Sequence, residues 1–268
     1  MASSVVLRGT ALHRGGPAEV RLVRADGPVV FAQRGAAAAL ADLAPARTDR
    51  GVTVSGGGVR IDLVEHLLAA IGGLGVAGGI RVETDDEEIP LLDGGAGRFV
   101  EAVTTLDPPR GRRLRVKRAE SFEHQRSVYR FTPGPSAGVR VSIDFPPPVG
   151  EQHATWDGDA ADFAARIAPA RTFGWAHEVA ALRAAGRAAE VDLASVLVFD
   201  DRGPIPGCRP PDPDEPARHK LLDLIGDLAL YGGPPVGVVD ATRPGHTATH
   251  AVVARALSLG VLAVEPAR

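Results

Sequence analysis

The residues of this 268-residue chain best suited to chemistry fall into three short stretches: Glu65-His66, His219 with Asp223 and Asp227, and His246. Residues four apart on an α-helix share a face, with Cβ atoms about 5–6 Å apart, so His219 and Asp223 can reach one cation. Asp227 extends that face by another turn. Leu221, Leu222, Ile225 and Leu228 supply a separate apolar side, so the helix can bury itself without turning the polar stripe outward. A solvated face or a hydrogen-bonded His–Asp pair fits the same spacing. A hydrolytic metal site needs three protein ligands and an open position for water, and His66 is the natural third ligand. Glu65 beside it reads either as a helix cap or as a general base that takes a proton from that water. His246 follows Pro244-Gly245 at a helix start, where it reads as a cap or as an imidazolium oriented by a carboxylate such as Asp227. His13, His124, His153, His177 and His250 have no partner at diagnostic spacing and receive no role.

Several elements must position these groups. Ser4 to Leu7 and Ala18 to Val23, around Gly15-Gly16-Pro17, predict an opening hairpin, and Val29 to Phe31 a further strand. Val52 to Ile61 predicts a second hairpin turning at Gly56-Gly57-Gly58. A helix follows from Asp62, with Asp62 and Glu65 in capping-box spacing and a stop at Gly72-Gly73. Gly79 to Glu83 predicts a strand and Gly97 to Thr105 a helix. The Pro-rich stretch Asp107 to Gly111 marks a domain boundary, giving an N-terminal domain of residues 1–111 and a C-terminal domain of 112–268. In the second half, strands are expected at Leu114 to Lys117, Val128 to Thr132 and Val139 to Phe145. Helices are expected over Ala160 to Ile167, Glu178 to Ala185, Asp214 to Tyr231 and from His246 to about Leu259. Leu67 to Leu74 aligns with Leu221 to Leu228 as a short internal repeat, and in that register Glu65 falls opposite His219.

Composition narrows the function. Net charge is −3, which gives no basic footprint for nucleic acid. The single cysteine, Cys208, has no intramolecular disulfide partner, and the opening residues do not resemble a secretion signal, so a reducing cytoplasm is the expected setting. No apolar run reaches the roughly 18 residues of a membrane span.

Taken in order, Val64-Glu65-His66-Leu67-Leu68-Ala69-Ala70, Ala170-Arg171-Thr172-Phe173-Gly174-Trp175, Arg218 to Leu228 and Gly245-His246 resemble the UDP-3-O-acyl-N-acetylglucosamine deacetylase family, the zinc enzymes that commit lipid A biosynthesis. Thr10-Ala11-Leu12-His13 resembles the family's opening segment, and Glu88 to Gly94 its Pro-Ile-Met-Asp-Gly stretch. The resemblance implies an α+β fold of two similar domains, each a sheet with helices on one face, the helices of the two domains facing each other. It implies Zn2+ held by His66, His219 and Asp223, with Glu65 as general base and His246 as acid, oriented by Asp227. Thr172 would hold the oxyanion, Lys220 would contact substrate, and Phe173 with an insert near 175–198 would form an acyl passage. The implied substrate is an acylated UDP-N-acetylglucosamine, turned over by a monomer. Departures stand at Arg243-Pro244, where the family has Lys-Ser, at Thr247 to His250, at Glu190-Val191 and at Ala194. These departures leave room for an amidohydrolase of another N-acetylated sugar, or for a non-catalytic binder of the sugar nucleotide. Iron or cobalt would also suit two imidazoles and a carboxylate.

Overall fold

The computed structural model describes residues 3–179 and 192–265. The expected helix Glu178 to Ala185 therefore lies largely outside the described residues, as do Glu190 and Val191.

The chain is α+β, built on two larger sheets with helices on them. The first sheet has the order Ser4–Thr10, Pro17–Arg24, Ile80–Glu83, Val30–Gln33 and Ala36–Ala39. Its opening hairpin is antiparallel, with Leu7 opposite Val20. Alternation along Pro17–Arg24 buries Val20 and Leu22 and leaves Arg21 exposed, so that sheet has one dry face. The second sheet has the order Glu120–His124, Ser127–Asp144, Val236–Thr242, Leu114–Val116 and Leu262–Val264, with Glu151–Trp156 also paired to the long strand. Two smaller three-stranded sheets flank the site. One joins Ala44–Arg47, Thr53–Gly56 and Val59–Ile61, and includes the hairpin expected at the three glycines. The other joins Phe173–Trp175, Leu197–Asp200 and Gly203–Pro204.

Three local expectations are corrected. Val128 to Thr132 and Val139 to Phe145 are one strand, Ser127–Asp144, whose parallel register with Val236–Thr242 slips between Thr132 and Ala137. Pro133 and Pro135 cannot donate to a ladder, so the strand is irregular there without ending. The stretch Ala160 to Ile167 opens with one α-turn, Ala160–Asp162, capped by Asp159, and widens over Phe163–Ile167, where the Ala168 N–H donates to the Phe163 carbonyl at 2.8 Å. The capping box at Asp62 does not form. The residue before the Glu65–Gly73 helix is Val64, which makes no side-chain cap, while Asp62 accepts from Thr53 Oγ1 at 2.7 Å and from Arg47 at 3.2 Å. Leu63, at φ 60°, turns the chain between the two residues, so Asp62 serves the neighbouring strand and Glu65 is left for another partner.

The helices Glu65–Gly73 and Gly97–Leu106 belong to the first half, and Glu215–Ala229 and His246–Ser258 to the second. Glu65–Gly73 and Glu215–Ala229 pack on each other at the centre of the molecule, side by side and running the same way: Glu65 and Ala69 meet Gly226, and Gly72 meets Ile225 and Ala229. Leu67, Leu68, Leu221, Leu222, Ile225 and Leu228 are fully buried around this contact, each burial contributing about 1.5–3 kcal/mol against exposure. A Cβ at Gly226 would stand 2.3 Å from the Glu65 carbonyl oxygen, so glycine is what permits this approach. Gly72 and Gly226 occupy the same position of the internal repeat. This packing sets the start of the first repeat, Glu65-His66, beside His219 and Asp223 of the second.

Candidate active site

Around these residues lies a cleft of about 460 Å³, lined among others by Glu65, His66, Thr172, Phe173, His219, Lys220, Asp223 and His246. Eight of the nine residues singled out in the sequence thus share one cavity, and the ninth, Asp227, lies directly behind it. Arg50, Leu63 and Arg243 also line it, each with a positive φ. Such conformations are costly for residues other than glycine and cluster where a wall must be shaped.

Glu65 and His66 sit in the first turn of their helix, both about 3% exposed. The Val52 N–H donates to Glu65 Oε2 at 2.9 Å, which fixes one carboxylate oxygen. The other, Oε1, faces Gly51, where a Cβ would come within 2.8 Å. Burial raises the Glu65 pKa, which only partly yields to the nearby His246 charge and the Val52 hydrogen bond. The carboxylate is thereby made more basic than a surface glutamate.

His66, His219 and Asp223 are all buried, and one donor atom from each lies within 4.8 Å of the others. His219 Nε2 is 3.4 Å and His66 Nε2 4.0 Å from Asp223 Oδ1, and the two rings meet edge to face with centroids 5.2 Å apart. Burial, and then the neighbouring His219, push the His66 pKa down to about 3; burial also lowers that of His219. Burial alone would raise the Asp223 pKa, but His219, Lys220 and His246 together hold it well below the usual carboxylate range. Two neutral imidazoles and an ionised carboxylate are the protonation states that metal ligation requires. The Nδ1 of His219 lies 3.0 Å from the Ala170 carbonyl, to which it donates, leaving the Nε2 lone pair on the Asp223 side. The donor set, its dryness and this outer hydrogen bond fit a divalent metal ion, so this group can hold one.

The remaining residues are arranged around this group. Lys220 Nζ donates to Asp223 Oδ2 at 2.8 Å and lies over the Phe173 ring, 5.4 Å from its centroid. Thr172 follows Arg171, whose guanidinium is bound by Glu215 at 2.8 and 3.0 Å in a fully buried pair. His246 Nδ1 donates to Asp227 Oδ1 at 2.8 Å, with Nε2 3.9 Å from Asp223 Oδ2. Burial opposes the His246 cation, yet Asp227, Asp223 and Glu65 outweigh it and push the pKa up to about 9. The cap reading of His246 is not needed, since Gly245 precedes the helix and makes no side-chain cap.

The model of the LpxC family, UDP-3-O-acyl N-acetylglycosamine deacetylase, matches residues 1–258. The chain belongs to that family. It is 37% identical, over 95% of its own length and 93% of theirs, to proteins named UDP-3-O-acyl-N-acetylglucosamine deacetylase from Brucella melitensis biotype 2, Brucella ovis and Brucella suis. This family member is accordingly a deacetylase, a hydrolase. No helix among the described residues is long and apolar enough to cross a membrane.

Of the departures from the family pattern, Arg243 lines the cleft, and its carbonyl accepts from Ser127 Oγ at 2.6 Å. Thr247 Oγ1 lies 2.8 Å from Thr48 Oγ1, tying the start of the His246 helix to the loop before Arg50. Ala194 is not part of the cleft; its N–H donates to Asp192. The described part of the insert contributes Val179 and Val196 to the cleft wall beside Leu63, in one apolar cluster with Leu91 and Val198. Two histidines given no role belong near the site. His13 lines the cleft while its N–H donates to Glu88, and His250 stands behind His246. The signal for His250 was present in the sequence: His246 and His250 are four apart on one helix, as Asp227 and Tyr231 are at the end of another.

Proposed function

We propose that the chain hydrolyses the acetamide of a UDP-3-O-acyl-N-acetylglucosamine to the free amine and acetate in the cytoplasm, the committing step of lipid A biosynthesis, as a monomer of two domains, 1–111 and 112–268. The observation that carries the reading is the convergence of the buried His66, His219 and Asp223 donors with Glu65 and His246 in one cleft. His66, His219 and Asp223 would hold zinc. Bound zinc supplies a water whose pKa falls from about 15.7 toward 7 and polarises a carbonyl oxygen.

The chain's own groups do the rest. Glu65 Oε2 is held by Val52, so Oε1 takes the proton of the attacking water, and burial makes that transfer more favourable than it is to a surface carboxylate. Thr172 supports the oxygen that gains charge on the acetamide carbon. His246 keeps its Nδ1 proton on Asp227 and delivers the Nε2 proton to the leaving amine. A well-placed acid or base contributes about 10²–10⁴-fold. Lys220 and Phe173 contact substrate, and the apolar wall of Leu63, Val179 and Val196 suits an acyl chain.

Zinc analysis coupled to acetate release tests the reading. Purified chain should bind one zinc and release acetate from the acylated sugar nucleotide, and His219→Ala or Asp223→Ala should lose both. Unchanged zinc content and turnover in those variants would remove the site assignment. Faster turnover of an unacylated N-acetylated sugar would move the substrate class elsewhere, and no acetate from either would leave a binding protein.

A further inference from the structure

Behind His246 the structure contains a second histidine that the deacetylation chemistry has not used. His250 is 5% exposed, one helical turn after His246, and its Nε2 stands 3.4 Å from Asp227 Oδ1, the oxygen that accepts the His246 Nδ1–H hydrogen bond. The other ring nitrogen, Nδ1, is 2.9 Å from the Tyr231 hydroxyl. Asp227 itself is 1% exposed, and neither its Oδ2 nor His250 Nε2 makes a hydrogen bond among the described residues, so the approach of His250 Nε2 to Asp227 Oδ1 is a charge contact rather than a close hydrogen bond. The row therefore runs Tyr231, His250, Asp227, His246, and ends with His246 Nε2 in the cleft.

Chemistry orients the row. A buried carboxylate next to an imidazole nitrogen favours a proton on that nitrogen, so His250 carries its hydrogen on Nε2 and presents a bare Nδ1 to Tyr231. The Tyr231 hydroxyl then donates. Burial and the Asp227 charge push its pKa up to about 12, which keeps that hydrogen on the phenol. One aspartate oxygen thus lies between two imidazole N–H groups in a dry environment, hydrogen-bonded to His246 and in electrostatic contact with His250.

We propose that His250, held by Tyr231, is a positioning residue for the deacetylation: it pins the Asp227 carboxylate in the orientation that aims His246 Nε2 into the cleft. This rests on the reading of His246 as the acid. Without His250, Asp227 has a single anchor and a free rotamer, and His246 spends less time aimed at the leaving group. Substrate affinity does not pass through this row, so the loss falls on kcat.

The test uses the full, zinc-loaded chain and acetate release from the acylated sugar nucleotide, with His246→Ala, His250→Ala, His250→Gln and Tyr231→Phe. His250→Ala is expected to lower kcat about tenfold or more with KM within about twofold, as removal of a group that holds an active-site side chain in place does. Gln places an N–H close to the Nε2 position, so His250→Gln recovers most of that loss, and Tyr231→Phe lowers kcat about threefold. The downfield proton resonance of His246 Nδ1–H should shift or broaden in His250→Ala and persist in His250→Gln, a signature that mere loss of packing does not predict. If His250→Ala keeps kcat within about twofold while His246→Ala loses about 100-fold, the proposal is overturned and the acid reading stands. If His246→Ala retains full kcat, the acid reading fails and the proposal with it. Should His250→Ala not fold, Tyr231→Phe decides: unchanged kcat and an unchanged His246 resonance overturn the proposal.

Discussion

Replacing Gly226 by Ala tests the link between helix packing and the site. The added Cβ would stand 2.3 Å from the Glu65 carbonyl oxygen and 3.2 Å from the Ala69 nitrogen, both backbone atoms that no rotamer change can move. Relief requires the two central helices to part by about 1 Å at the turn that carries Glu65 and His66, and overpacking of this kind costs about 1–3 kcal/mol. Alanine's better helix propensity returns about 1 kcal/mol, so the net loss is smaller than the clash alone suggests. The net cost is then about 0–2 kcal/mol, and at about 2–4 °C per kcal/mol for a chain of this size class Tm should fall by up to roughly 8 °C. Activity should fall further than stability does, because a displacement of about 1 Å at reacting groups can cost about 10²-fold. Gly72→Ala is the control. Its Cβ meets the Ile225 oxygen at 3.0 Å and the Ala229 Cβ at 3.1 Å, at the far end of the same helix, so it should cost stability with little change in kcat. Thermal unfolding and acetate release on both variants decide the matter. If Gly226→Ala keeps its Tm within about 1 °C and its kcat/KM within about twofold, helix spacing does not set the site geometry, and the reasoning is wrong.

Other expectations follow from the same geometry. Glu65→Gln should retain bound metal, since Glu65 is not among the three donors, yet lose about 10²–10⁴-fold in kcat; metal analysis beside steady-state kinetics separates the two. In the metal-free protein, His246 should titrate near 9 by NMR, and Asp227→Asn should bring it down toward its ordinary value of 6.5. The raised folded-state pKa means this group's stabilisation is complete below about 6.5 and is lost as pH rises through about 9, so wild type and Asp227→Asn should converge in Tm at high pH. Arg171→Met leaves the Glu215 carboxylate buried without its partner and should cost about 3–5 kcal/mol in urea unfolding, whereas an exposed pair such as Arg8 with Glu19 should cost about 1 kcal/mol or less.

The helices that carry the chemistry were legible because their signals are local. Leucines at helical spacing, Pro216 in a first turn and Gly232-Gly233 at a stop identify Glu215–Ala229 within a residue or two. The capping box fails for the opposite reason. Asp62 and Glu65 have the right spacing, but Thr53, Arg47 and Val52, which compete for their oxygens, arrive from neighbouring strands and a loop. The strand Val236–Thr242, central to the second sheet, is not legible in the sequence because a short apolar run with glycine declares no face until its neighbours are in place. His250 is legible only in part: its spacing from His246 is local, but its partner Asp227 lies on another helix.

Ordered motifs in the sequence alone were enough to name the family and to nominate His66, His219, Asp223, Glu65 and His246, since residue type and order along the chain survive without coordinates. Only the tertiary structure decided that these groups share one cleft, that Glu65 is tied to Val52 by one oxygen, and that His246 is held above its ordinary pKa. Distance, burial and field arise between elements far apart in the chain. Here they depend on two glycines, Gly72 and Gly226, that let two helices approach closely enough to set Glu65 and His66 beside His219 and Asp223.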